Sequence, residues 1–274
     1  LILHSGTLQL NPCRLGPIGE FNGPATGQQA MMDIPEKAPH MEEAPNNSSM
    51  APSKKIQAVE VGVFLLLILP SMLLSTALAK PENLTFPLLA GSLLLSDIPL
   101  LCLVLYFIWR NGESFPSIGL TLRNGWREAG LGAALFVPLM FGIGLIERLL
   151  RAAGLSVPQA APSYLVPSES GSQLALALVL LVVVAVSEEV IFRGYLIRRF
   201  TALFQKPVFA LALSSAVFAI GHGYEKAAGV VGVWILGLVF GAVYLWRRSL
   251  VAPMVMHFIQ NFIGIILVPF GVLS

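Results

Sequence analysis

The chain has 274 residues, 55% hydrophobic and 12% charged, with a formal net charge of +2. A soluble domain carries about 25% charged residues, so half that share, with apolar runs near twenty residues long, points to a bilayer as solvent and to a single helical bundle. The near-neutral balance, with no basic patch apart from the membrane flanks, excludes a nucleic-acid binder. The two cysteines, Cys13 and Cys102, exclude a disulfide framework or a CxxC metal site.

Residues 1–52 hold Pro, Gly, Asn, Ser and mixed charge without an apolar period, which predicts a disordered polar tail. No apolar h-region lies near its start, so no cleavable signal peptide is expected. From Ile56 onward, apolar stretches recur at about 56–79, 86–109, 129–150, 172–192, 207–222, 228–246 and 250–272. Each is near the ~20 residues that a helix needs to cross the hydrocarbon core. Backbone groups in lipid must pair internally, so helices are the default. The expected fold is all-α, a polytopic transmembrane bundle of about seven spans. It divides into N-terminal helices and loops over 53–169 and a second part over 170–274 that carries the polar motifs.

An inside N terminus would put Arg110, Arg123, Arg127, Arg193, Arg198, Arg199, Arg247 and Arg248 on the inner side. Lys80, Arg148, Arg151 and Lys226 would lie outside. That bias follows the positive-inside rule. The segment 149–171, with Pro158, Pro162 and Pro167, reads as an outside connector, with a lid as the alternative. Phe115–Leu120 reads as an interfacial segment or a solvated connector. Gly237 and Gly241 form a GxxxG, which permits close helix approach, here within the bundle rather than between copies. Three of Trp109, Trp126, Trp234 and Trp246 stand near span ends, as interfacial anchors do.

The fourth apolar stretch ends in Ser187-Glu188-Glu189-Val190-Ile191-Phe192-Arg193-Gly194. An acid at the centre of a membrane helix costs about 2.5–3.5 kcal/mol on insertion scales, so intramembrane acids are functional candidates. On an α-helix Glu189 and Arg193 are i,i+4 neighbours, while Glu188 points about 100° away from Glu189. One acid can therefore be neutralised while the other faces a cavity. The plainer alternative is that both mark the water interface at the helix end. Downstream, Phe218 and His222 share one helix face, and His257 and Asn261 share another. A carboxylate beside a neutral imidazole can hold and deprotonate a water, and an Asn or second His can donate to an oxyanion. Glu188, His222 and His257 could also ligate a divalent metal such as zinc, although HExxH is absent. GxSxG is absent too, and no serine or cysteine sits in an activated-nucleophile motif.

Glu188-Glu189-x-x-x-Arg193, Phe218-x-x-x-His222 and His257-x-x-x-Asn261, in that order on three predicted helices, resemble the three motifs of the CPBP family. These are the CAAX prenyl proteases and bacteriocin-processing enzymes, also called the Abi family. The resemblance covers about residues 170–265. It implies an intramembrane endopeptidase, with 170–274 as the catalytic core. Glu188 would then activate water with His222, His257 and Asn261 would stabilise the oxyanion, and Glu189, Arg193 and Phe218 would support them. The resemblance leaves open a metal held by Glu188, His222 and His257. The metal-free glutamate mechanism is favoured, since Asn261 is a poor zinc ligand. Partners would be a peptide or membrane-protein substrate and the lipid bilayer of a bacterial plasma membrane.

Two other functions compete. One is a non-catalytic scaffold or immunity protein of the same fold. The other is a proton-coupled transporter, disfavoured because the acids are concentrated on one helix. The segment boundaries also raise a conflict of depth. Glu188 and His257 fall near the inner ends of their spans, whereas His222 falls about 22 Å along the fifth by helix rise.

Overall fold

The computed structural model describes residues 52–78, 84–154 and 161–272. The predicted tail lies outside them except for Pro52, and so does part of the 149–171 connector. Each of the seven apolar stretches is a helix, in the expected order. They are α1 (Lys54–Leu78), α2 (Phe86–Arg110), α3 (Gly125–Ala152), α4 (Gly171–Phe204), α5 (Pro207–Ile220), α6 (Lys226–Arg247) and α7 (Val251–Leu267). Among the described residues there is no strand. Helices α1, α2, α3, α4 and α6 are long and apolar enough to cross a bilayer, and α5 and α7 are shorter apolar helices.

Polarity is distributed the opposite way from that of a soluble protein. Leu66, Leu95, Phe141 and Val208 are 73–80% exposed on the outer faces. Glu60, Glu128, Glu189, Arg193, Arg199 and His257 are buried inside. Water would penalise that apolar exterior, whereas lipid tails do not. The protein is an integral membrane protein.

Ion pairs gather several helix ends at one end of the bundle. Arg199 pairs with Glu60 at 3.6 Å and with Glu113. The Asn111 side-chain amide donates to Glu60 at 2.9 Å. Arg198 reaches Glu113 at 3.2 Å and donates to the Ser117 carbonyl. Arg247 joins Glu128 at 2.7 Å. Trp126 and Trp246 lie exposed at this end beneath Arg127 and Arg247.

Phe115–Leu120 exposes Phe115, Pro116 and Ser117 and buries Ile118 and Gly119. It forms a 3-10 turn, Phe115–Ile118, whose Ile118 is buried in the core. Gly119 follows with φ 84°, and its carbonyl accepts from the Leu250 N–H at 2.9 Å. A Cβ there would also come within 2.9 Å of Tyr244, so the turn needs glycine for both conformation and space.

The GxxxG of α6 faces α5. A Cβ on Gly237 would stand 3.0 Å from that of Ser215, and one on Gly241 would overlap Leu211. The motif is thus used for packing within the bundle.

Helix α4 starts at Ser170, whose hydroxyl accepts from the Gln173 N–H at 3.4 Å, while the Gln173 side chain accepts from Ser168 N–H at 2.8 Å. It does not stop near Arg193. It runs on as a π-helical stretch, Glu189–Leu196, and a final α-helical piece, Ile197–Phe204. This extension corrects the boundary drawn from sequence and removes the conflict of depth. From Glu188 to Phe204 the chain descends about 24 Å, and from Pro207 to His222 it climbs back about 22 Å. Glu188 therefore lies near the middle of a 34-residue span, not at the interface.

Candidate active site

Glu188 is the last residue of the α-helical part of α4, and Glu189 opens the π-helical stretch. A π-helix inserts i→i+5 bonds into the helix and is frequent at functional sites. It changes the direction of every side chain after it. The two adjacent acids end in different surroundings. Glu189 is fully buried, whereas the Glu188 side chain keeps 19% of its surface open.

Glu189 is held from two sides. Its Oε1 accepts from His257 Nδ1–H at 2.9 Å and is ion-paired with Arg193 Nη1 at 3.1 Å. The guanidinium of Arg193 is 1% exposed and lies 4.4 Å from the ring centre of Phe218 and 5.5 Å from that of Phe240. A buried cation is tolerated here because it has a carboxylate and two π faces.

With Nδ1 engaged by Glu189, His257 turns Nε2 toward Glu188, 3.4 Å from Oε2. Phe240 packs on the His257 ring at 5.5 Å and sets its plane. Among the described residues Glu188 Oε2 takes no hydrogen bond. The site thus joins a buried acid paired through its Oε1 to a more open one through a single imidazole.

Phe218 ties in the second histidine. Its ring centre is 4.8 Å from that of His222 and 6.0 Å from that of His257. Its carbonyl accepts from His222 Nδ1–H at 3.1 Å, which leaves Nε2 as the acceptor. Phe192 packs edge-on against Phe218 at 5.1 Å, and the Ser214 hydroxyl donates to the Phe192 carbonyl at 2.6 Å, pinning α5 to the π-helical stretch. Asn261 sits one turn beyond His257 on α7, half-buried.

Glu188, Glu189, Arg193, Phe218, His222 and His257 therefore converge in one cluster, and Asn261 stands one helical turn from it. The alternative in which both acids mark the water interface is excluded by the mid-span position of Glu188 and the full burial of Glu189. The metal alternative fares differently. Among the described residues no three His, Cys, Asp or Glu side chains are grouped as a metal cage. Glu188, His222 and His257 do not fit the zinc centre considered from sequence, and no step below passes through one.

Asp97 went unremarked in the sequence. It stands at mid-length of α2. Its signal in the sequence is a lone acid in an otherwise apolar helix, costly to insert. Asp97 also corrects the statement that the acids are concentrated on one helix.

Residues 170–263 match the model of the family described as Rce1-like, type II CAAX prenyl endopeptidase Rce1-like. No curated protein and no solved structure gives a significant match. The matched stretch holds all the clustered residues named above except Asp97. Over that stretch, about a third of its length, the chain is similar to the type II CAAX prenyl endopeptidases described as Rce1-like.

Proposed function

We propose that this protein hydrolyses a peptide bond inside the membrane by means of a water activated by Glu188. The observation that carries the reading is the asymmetry of the acid pair: Glu189 is fully buried and ion-paired with Arg193, while the Glu188 side chain keeps 19% of its surface open beside His257.

Glu188 takes a proton from a water that it holds on the His222 side of the site as the oxygen attacks the carbonyl carbon. His257 donates from Nε2–H to the oxyanion that forms. Its positive charge in that state is balanced by Glu189, which accepts from Nδ1–H. Asn261 supplies a second donor. Glu188 then returns its proton to the leaving amine. Glu189, Arg193 and Phe218 hold the geometry.

The substrate class is a peptide or membrane-protein segment that reaches the site from the bilayer, and the family name points to a C-terminal prenylated peptide as the first probe. The N terminus lies inside, and a bacterial plasma membrane is the setting.

The test is cleavage of internally quenched peptides, farnesylated and unmodified, by purified protein in detergent. Glu188→Ala and His222→Ala should each lower turnover at least a hundredfold while eluting as the parent does. A chelator should leave turnover unchanged. Retained cleavage in either variant would sink the assignment. Asp97 on a second helix gives a proton relay one point in its favour. That reading predicts proton flux in liposomes that vanishes with Glu188→Gln.

A further inference from the structure

Helices α2 and α4 run side by side in the same direction, and their contacts fix a register. Phe86 and Ala90 share one small apolar cluster with Ala177, Leu180 and Leu181 near the start of both helices. Further along, the Phe107 and Tyr195 rings lie 6.3 Å apart, within the main core that also holds Val104, Val190 and Ile191. Interpolating between these contacts brings Asp97 level with Glu188.

The facing direction is fixed as well. Ala90 and Val104 are fully buried, and Asp97 is seven residues from each. Seven residues on an α-helix return to within about 20° of the same direction. Asp97 therefore points where Ala90 and Val104 point, toward α4. Unlike those two it is only partly buried, as is the free acid Glu188.

The charge balance at this level is uneven. Among the described residues at this level, three acids, Asp97, Glu188 and Glu189, stand with one arginine, Arg193, which is already paired with Glu189, and with His222 and His257 alongside. Two carboxylates at one depth of a low-dielectric bundle repel each other. A membrane helix that needed only packing would carry Leu at this position, as it does at Leu93, Leu94, Leu100 and Leu101.

We propose that Asp97 is a positioning residue for the hydrolytic water, accepting the hydrogen that Glu188 does not remove. A water between two carboxylates directs one O–H bond at each, which leaves an oxygen lone pair aimed away from both. In the attack, the water oxygen bonds to the carbonyl carbon and the carbonyl electron pair moves to its oxygen. One O–H bond breaks, and its proton passes to Glu188. The other O–H bond stays intact, held by Asp97. On collapse the C–N bond breaks, the amine takes the proton from Glu188, and the retained hydrogen leaves with the new acid. Asp97 thus orients the nucleophile without itself exchanging a proton.

This inference rests on the proteolytic reading, and the experiment separates the two. Turnover of the quenched peptide by the unaltered protein, lost in Glu188→Ala, establishes the reading beneath it. With that in hand, Asp97→Asn and Asp97→Leu should lower kcat at least tenfold with KM within threefold. Asp97→Glu should recover activity above Asp97→Asn. Asp97→Leu should melt no lower than the parent, because an acid in an apolar helix does not serve stability. Cleavage within twofold of the parent in Asp97→Asn and Asp97→Leu overturns the role of Asp97 and leaves the protease intact. A loss carried by KM alone, or an Asp97→Glu no better than Asp97→Leu, overturns it too. Absence of any Glu188-dependent cleavage overturns both.

Discussion

At the scale of single residues the site is organised around Glu189, which neutralises Arg193 and orients His257 from one carboxylate oxygen. Breaking a buried ion pair by deleting one partner costs about 3–5 kcal/mol, whereas replacing both partners is far milder. Arg193→Met should therefore destabilise the protein by about 3 kcal/mol, and Glu189→Gln combined with Arg193→Met should recover a large part of that. Denaturation in detergent followed by a thiol-reactive dye measures it; equal stability of the single and double variants would contradict the pairing. The Glu189–Arg193 contact could be anticipated because both residues lie on one turn. The Asp97–Glu188 juxtaposition could not, because nothing local relates position 97 to position 188.

Among the helices, two departures from regular geometry build the site. The π-helical stretch Glu189–Leu196 separates the directions of the two acids, and the turn after α5 brings His222 back to their depth. Neither has a composition signal: the residues of the π-helical stretch are ordinary helix formers with one glycine. The contact of α6 with α5 is the reverse case, since two glycines four apart announce close approach. A leucine at Gly241 would have to displace Leu211 and Ile197. Gly241→Leu is expected to cost about 1–3 kcal/mol by overpacking. Thermal unfolding measures the loss. Size-exclusion chromatography should give the same oligomer profile as the parent, whereas a shift in that profile would assign the motif to contacts between copies.

For the molecule as a whole, the charged end formed by Glu60, Glu113, Arg198, Arg199, Glu128 and Arg247 is the end the positive-inside rule assigns to the inner face. With both native cysteines replaced by serine, single cysteines at Leu122 and Ser168 test this, since both positions are exposed. An impermeant maleimide should label Ser168→Cys in intact cells and Leu122→Cys only after permeabilisation. The opposite pattern would invert the topology.

The sequence by itself determined the solvent, the order of the helices, and the acids, arginine and histidines of the three motifs that the structure brings together. These follow from hydropathy, from the cost of acids in lipid, and from spacing within one turn, all of which are local properties. The tertiary structure alone decided the depth at which the motifs meet, the burial of Ile118 under the bundle end, and the register of Asp97 against Glu188. Each of these depends on where one helix stops and how the next is registered against it. That register is set by side-chain packing between segments far apart in the chain, and no single segment contains it.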